Sequence, residues 1–167
     1  WEGSVASAEK SVYFPARPGG VVYAGGAAGG VTGFDIARGT VATRIEAGER
    51  VTGGVGAGAG LVLLGTPRGE VLAFDTAGKL LWKTQLSSAV LAPPEAQDGI
   101  VVARSGDGRV YGLDAATGKQ RWMHQRTTPA LSVRTHAGVV IERGGVFVGF
   151  PAGRLVALSL TTGNVGW

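Results

Sequence analysis

Along this chain apolar residues gather in short runs broken by glycine, and no stretch of ten or more residues carries the three-to-four-residue spacing of an amphipathic helix. Runs such as residues 61–65 and 100–103 predict short β-strands. The runs are periodic. With Asp35, Asp75, Asp114 and Ser159 as anchors, the spacings are 40, 39 and 45 residues. Thirteen positions before each anchor stands Val22, Val62, Val101 or Val146, and six before stands Gly29, Gly69, Gly108 or Gly153. Four before is Val31, Val71, Val110 or Leu155. The last two positions hold a small residue (Gly33, Ala73, Gly112, Ala157) and a large apolar one (Phe34, Phe74, Leu113, Leu158). Self-similarity at a fixed period marks a repeat architecture.

Each column has a physical cause. The valine belongs to a strand and the glycine to a tight hairpin, where positive φ is needed. The next strand ends in a small residue, where a neighbouring sheet is expected to come close. The anchor carboxylate then accepts N–H groups two residues on, starting a turn that closes on Gly39, Gly78, Gly118 or Gly163. After the turn comes a last strand carrying Trp82, Trp122 or Trp167, with Thr43 in that slot in the first copy. A tryptophan in this slot reads as packing between neighbouring sheets, burying roughly 200 Å2. A further strand candidate precedes each copy, at residues 11–16, 51–55, 89–92 and 131–135. Four strands in each period of about 40 residues make a propeller blade. The expected fold is all-β, a β-propeller with blades at residues 11–50, 51–88, 89–126 and 127–167, the last truncated in its outer strand, and with residues 1–10 as a separate strand.

Composition narrows the chemistry. Glycine supplies 30 of the 167 residues, which suits tight turns and disfavours helices. The net charge of +4 is scattered, with no run of five like charges, so the clustered basic residues of a nucleic-acid binder are not seen. No apolar run reaches 18 residues. There is no cysteine, hence no disulfide and no thiolate metal site. The aspartates are all turn residues: Asp35, Asp75 and Asp114 as anchors, Asp107 in a Gly-Asp-Gly hairpin, and Asp98 before Gly99. His124 and His136 are too few for a metal site by themselves, and no nucleophile–base pair is visible. Neither catalytic residues nor a cofactor or metal site is expected, and function falls to the loops.

The segment Gly112-Leu113-Asp114-Ala115-Ala116-Thr117-Gly118-Lys119-Gln120-Arg121-Trp122 resembles the blade signature of quinoprotein-like propellers. Neither the Gly-His nor the Trp-Asp pair of the other common propeller repeat occurs. Within that superfamily, Leu86-Ser87-Ser88-Ala89-Val90-Leu91-Ala92-Pro93-Pro94 and Thr128-Pro129-Ala130-Leu131-Ser132-Val133-Arg134 are similar to the BamB-type lipoproteins of the outer-membrane β-barrel assembly machinery. The similarity runs in register through all 167 residues.

The resemblance implies eight blades, of which this chain would be the N-terminal half. Its first ten residues would then supply the outermost strand of the last blade, and the lipid-bearing cysteine would lie upstream of Trp1. It also implies a non-enzymatic scaffold, without cofactor, at the periplasmic face of the outer membrane. The partners would be the POTRA domains of BamA and nascent outer-membrane proteins, and the membrane would be met only through the lipid. The family's contact loop, Leu-Ser-Leu-Arg, matches Leu131, Ser132, Val133 and Arg134. Val133 is one methylene smaller than leucine, a difference of about 0.8 kcal/mol in burial.

Leu131 and Val133 also fit a second reading, as the inward face of an innermost strand. Arg134 is harder to place in a core, and arginine is enriched at binding hot spots. Two other functions remain compatible with the fold: a piece of a quinone-dependent dehydrogenase and a generic propeller scaffold. The dehydrogenase needs an axial cofactor pocket, a calcium site and a catalytic aspartate, against which stand the absent cysteines, the single Asn164 and aspartates already assigned to turns. Four blades of an eight-blade circle would leave open edges and apolar faces, so self-association is expected, blade 1 of one copy on blade 4 of the other.

Overall fold

Alternating apolar and small residues between tight turns produce antiparallel strands, and the strands assemble into four separate sheets. The computed structural model describes residues 15–16, 19–26, 28–126, 138–151 and 153–167. The first sheet holds β1 (Val21–Gly25), β2 (Gly30–Asp35) and β3 (Val41–Glu46). The second holds β4 (Thr52–Gly58), β5 (Leu61–Gly65), β6 (Glu70–Asp75) and β7 (Leu80–Gln85). The third holds β8 (Glu95–Gln97), β9 (Ile100–Arg104), β10 (Val110–Asp114) and β11 (Gln120–His124). The fourth holds β12 (Val139–Glu142), β13 (Gly145–Phe150) and β14 (Arg154–Ser159). Order within every sheet follows the chain, and all pairings are antiparallel. Bridges from Ala16 to Tyr23 and from Leu158 to Val165 add an inner contact to the first sheet and an outer one to the fourth. These are four consecutive propeller blades.

The core lies between the blades. Tyr23, Val31 and Ile45 of blade 1 pack against Val62, Leu64 and Phe74 of blade 2. Leu61, Leu63 and Trp82 of blade 2 meet Val101, Ala103 and Tyr111 of blade 3. Ile100, Val102 and Trp122 of blade 3 meet Val146, Val148 and Leu158 of blade 4. Sheets covered on both faces need apolar side chains on both, so β5 and β9 are buried along their whole length and read as continuous runs. At the innermost strands the backbones themselves approach. A Cβ on Gly56 or Gly58 would collide with the Pro94 or Ala96 carbonyl, which explains the glycines of β4.

The strand expected at residues 89–92 is instead β8, Glu95–Gln97. Val90 makes only an isolated bridge to Ser105, and its N–H goes back to the Thr66 carbonyl of blade 2, so this stretch is an inter-blade strap. The innermost position of blade 4, expected at residues 131–135, is taken by Val139–Glu142, paired with β13. In blade 2 the strand expected at 51–55 runs Thr52–Gly58. The small residue two before each anchor faces its own blade rather than the neighbour. Gly112 pairs with Trp122, where a Cβ would strike the indole, and Ala73 pairs with Trp82. Residues 1–14 lie outside the described residues, and with them the separate first strand and most of the candidate at 11–16.

Neighbouring blades are locked by one recurring contact. Trp82 Nε1 donates to the Ala115 carbonyl at 2.8 Å, and Trp122 Nε1 donates to the Leu160 carbonyl at 2.8 Å. In both cases the acceptor is the residue after the next blade's anchor. Thr43, which replaces tryptophan in blade 1, makes the same bond to Thr76 with its hydroxyl at 2.9 Å. Beneath each indole lies the turn glycine of the next blade: Gly118 at φ 71° and Gly163 at φ 70°. A Cβ there would stand 2.6 Å and 2.5 Å from the ring carbons. The anchor shapes that turn, with Asp114 accepting the Ala116 and Thr117 N–H groups. Arg121 bonds the Asp114 carboxylate at 2.5 Å and, together with Thr117, lowers its pKa to about 2. Trp82 and Trp122 are 8% and 7% exposed.

Replacing Trp122 by alanine should cost about 3–5 kcal/mol, the range for a buried tryptophan. Gly163→Ala should destabilise in the same direction, through a positive φ as well as the collision. Urea unfolding of the two variants checks both, and an unchanged midpoint for Trp122→Ala would remove the inter-blade role of the indole.

Candidate functional site

The strand directions divide the blade ends into two rims. One carries the anchor turns, and hydrogen bonds such as Ala115 N–H to the Gly99 carbonyl and Leu160 N–H to the Gly144 carbonyl bring the inner hairpins beside them. The other carries the hairpins between the two middle strands of each blade and the connections from one blade to the next. Leu131, Ser132, Val133 and Arg134 lie outside the described residues, in the stretch joining β11 to β12. Both the end of β11 and the start of β12 stand on the hairpin rim. His136 also lies outside the described residues.

On this rim blades 3 and 4 meet through a group of side chains that sequence reasoning passed over. Arg104, at the end of β9, is 8% exposed and donates from Nη1 to the Gly149 carbonyl at 2.7 Å. Its guanidinium lies 5.1 Å from the Phe150 ring centroid, a cation–π contact. The His124 ring meets the same phenyl edge-on at 6.4 Å. His124 pairs in register with Val110, next to Arg109, and Phe150 pairs with Arg154. Arg104, His124 and Phe150 therefore form one layer of contacts, with Arg154 opposite Phe150 in register. The signal for Arg104 was present in the repeat. Ten positions before the other anchors stand Gly25, Gly65 and Gly149, and only this copy carries a charged side chain there.

Beside this layer, Tyr111 donates its hydroxyl proton to Ser87 Oγ at 2.8 Å, and Ser87 donates to Asp107 Oδ2 at 2.7 Å. Ser105 donates to the other carboxylate oxygen. Burial works against ionising Asp107, but the Ser105 and Ser87 hydroxyls outweigh it and hold its pKa below the ordinary value. Asp107 was expected to be a turn residue, yet its carboxylate also fastens the strap from blade 2 onto the blade 3 hairpin. Arg109 Nη1 stands 3.4 Å from Asp107, while Arg109 Nε and His124 Nε2 are buried without a hydrogen-bond partner among the described residues. Burial first, and the nearby Arg126 charge second, lower the His124 pKa.

Charge is distributed unevenly between the rims. The hairpin ends of blades 3 and 4 carry Arg104, Arg109, Arg126 and Arg154 with Asp107. Glu95 lies deeper, on the innermost strand, where burial raises its pKa and its carboxylate accepts the Ile141 N–H at 3.2 Å. The turn ends of the same blades are balanced, with Asp98, Asp114 and Glu142 against Lys119, Arg121 and Arg143. On blade 2, Lys83 neutralises its surroundings internally, 2.5 Å from Glu70 and 3.6 Å from Glu49. No group of three or more His, Asp or Glu among the described residues is placed to hold a metal ion.

A separate cavity of about 360 Å3 opens on the far face of blade 4, lined by Phe147, Ala157, Leu158, Gly166 and Trp167 beside Glu142 and Arg143. Phe147 occupies the position of Leu63 and Val102, and Trp167 that of Trp82 and Trp122. The four earlier residues are buried, whereas Trp167 is 68% exposed.

Comparison with known proteins gives concordant matches. The family described as outer membrane protein assembly factor BamB matches residues 27–167. The outer membrane protein assembly factor BamB of Nitrosomonas eutropha is 46% identical over 167 residues, covering 100% of this chain and 41% of that protein. The one from Bordetella pertussis is 37% identical over 167 residues, covering 100% of this chain and 43% of its own. The crystal structure of BamB from Moraxella catarrhalis superposes with a TM-score of 0.82 at 27% identity, covering 96% of this chain and 48% of that one. The chain thus spans less than half the length of the relatives it matches.

The half-buried His124 supplies a pH test. Because its folded pKa lies below the ordinary 6.5, the unfolded chain takes up the proton more readily, so stability is full above that value and falls as pH drops below it. Melting temperatures recorded between about pH 7 and about pH 5 should show this slope in the native chain and a shallower one in His124→Gln. Identical slopes would mean that His124 is not held neutral by its surroundings.

Proposed function

The chain belongs to the BamB family of outer membrane protein assembly factors, and on that premise we propose that its four blades are part of a non-enzymatic scaffold for outer-membrane protein assembly, working at the periplasmic face of the membrane. The observation that carries the reading is 46% identity sustained over every residue of the chain, not over one motif. The contact to the machinery is assigned to Leu131, Ser132, Val133 and Arg134, and its partner is the POTRA region of BamA. Support comes from the innermost position of blade 4. That position is filled by β12, so these four residues are not required there as a core strand. Apolar residues beside an arginine, in a stretch joining two rigid blades, suit a binding hot spot. Nascent outer-membrane proteins are a second class of partner under the same reading.

Arg134→Glu should abolish binding to the soluble POTRA region of BamA while leaving the melting temperature unchanged. Leu131→Ala should weaken binding by about 1–2 kcal/mol, the cost of truncating an interface leucine. Calorimetry on the folded variants decides the matter. Native affinity in both would move the contact elsewhere on the propeller, and parallel loss of folding would return these residues to a core role.

A further inference from the structure

We propose that Glu49 and Glu70 share a single proton beside Lys83, and that this proton is a pH-sensitive fastener for the strap leading from blade 1 to blade 2. The device does not depend on the binding reading above.

The first two straps follow the same backbone course. Ala47 N–H donates to the Gly29 carbonyl at 2.9 Å, and Leu86 N–H to the Gly69 carbonyl at 2.7 Å. A Cβ on Gly29 would stand 2.1 Å from the Glu49 carbonyl oxygen, and one on Gly69 would stand 2.6 Å from that of Ser88. Glu49 therefore holds in the first strap the place of Ser88 in the second. The side chains that fasten the two straps differ. The second is held by Ser87 on the Asp107 carboxylate. The first sets Glu49 against Glu70 and Lys83, two acids with one cation between them.

Lys83 Nζ lies 2.5 Å from Glu70 Oε1 and 3.6 Å from Glu49 Oε1, and the two carboxyl groups are within hydrogen-bonding reach of each other. Glu70 is 8% exposed, and its Oε2 is buried with no donor among the described residues. Gln85, opposite Glu70 in register, gives its amide to the Arg68 and Leu86 carbonyls instead. Two ionised carboxylates offer acceptors only, so their contact is repulsive, Oε2 stays unsatisfied and the trio carries an excess negative charge. One proton on Glu49 supplies the missing donor and makes the trio neutral. Of the other charged groups here, Arg68 favours the ionised form of Glu70. Glu46 at the end of β3 and Arg50 next to Glu49 are of opposite sign.

The two acids are driven apart in titration. Burial first, and then contact with Glu70, raise the Glu49 pKa above the ordinary 4.5. Lys83 first, and then Glu49, hold Glu70 below it. The pair therefore takes up and releases protons as a unit, in two steps. Above 4.5 the unfolded chain has released a proton that folded Glu49 still keeps, so the stability it contributes is lost as pH rises through the raised value. Below 4.5 the loss has the other origin, protonation of Glu70 and release of Lys83. The Asp107 fastener of the second strap has a lowered pKa and stays ionised while Glu49 titrates. Rising pH thus loosens the first strap and leaves the second unchanged.

Two measurements on the chain itself test this. In a carbon-13 NMR titration of the glutamate carboxyl groups, Glu49 should titrate above 4.5 and Glu70 below it, each curve showing an inflection at the other's midpoint. Independent midpoints near 4.5 for both would overturn the shared proton. In amide hydrogen exchange, the Ala47 N–H is compared with Leu86, its counterpart in the second strap, so that the common effect of pH on exchange chemistry cancels. The protection of Ala47 relative to Leu86 should fall several-fold between about pH 5 and about pH 8 in the native chain. In Glu49→Gln, whose amide donates to Glu70 at every pH, the ratio should stay flat at its acid-side value. A constant ratio in the native chain, or the same fall in Glu49→Gln, would overturn the fastener. The titration needs no variant, so it decides the shared proton even if Glu49→Gln folds poorly.

Discussion

The indole N–H bonded to a carbonyl of the next blade is the contact on which the rest of this structure depends. A propeller blade has no core of its own, and its two faces are finished only by its neighbours. The bond from Trp82 to Ala115 fixes where the next anchor turn sits, and the same bond recurs from Trp122 to Leu160. Once that turn is placed, the remaining positions follow. Gly118 must lie flat under the ring, Ala73 or Gly112 must leave room for the indole from behind, and Leu63 and Val102 face apolar residues of the following sheet. The 40-residue columns are the imprint of one inter-blade joint copied along the chain. Thr43 shows that the hydrogen bond outlasts the ring: a hydroxyl in the same slot reaches the equivalent carbonyl.

That origin explains what could be read from residues alone. Positions inside the joint repeat in every blade, so the anchors, the turn glycines and the tryptophans announced the fold and its four units. Positions outside the joint carry no such constraint. The innermost strands slipped for this reason. Residues 89–92 look like a strand because Val90 and Ala92 are buried, yet they are buried as a strap, followed by Pro93 and Pro94, before β8 begins. In blade 4 the apolar pair Leu131 and Val133 drew attention away from Val139–Glu142, whose shorter alternation fills the slot.

The layer on the hairpin rim was illegible for a different reason. Its members come from β9, β11 and β13, and only register and ring contacts bring Arg104, His124 and Phe150 together. The hint lay in a break of the repeat, an arginine in a column of glycines, and such breaks point to function where the columns themselves point to architecture. The two rims divide the labour accordingly. The turn rim is occupied by anchor carboxylates, their backbone partners and the carbonyls that receive the tryptophans. The hairpin rim holds the blades together mainly through its straps, and its side chains vary from copy to copy.

The inter-blade joint also bears on how such a chain comes into being. Trp82 and Trp122 are each buried against the blade that follows. Trp82 and Trp122 precede their acceptor carbonyls by more than thirty residues, so during synthesis each leaves the ribosome well before the turn that will bury it. The newest blade always shows a hydrophobic face to solvent, and the next length of chain covers that face while exposing its own. The fold is therefore directional in time as well as in space, and the vulnerable surface moves along the growing protein like a front.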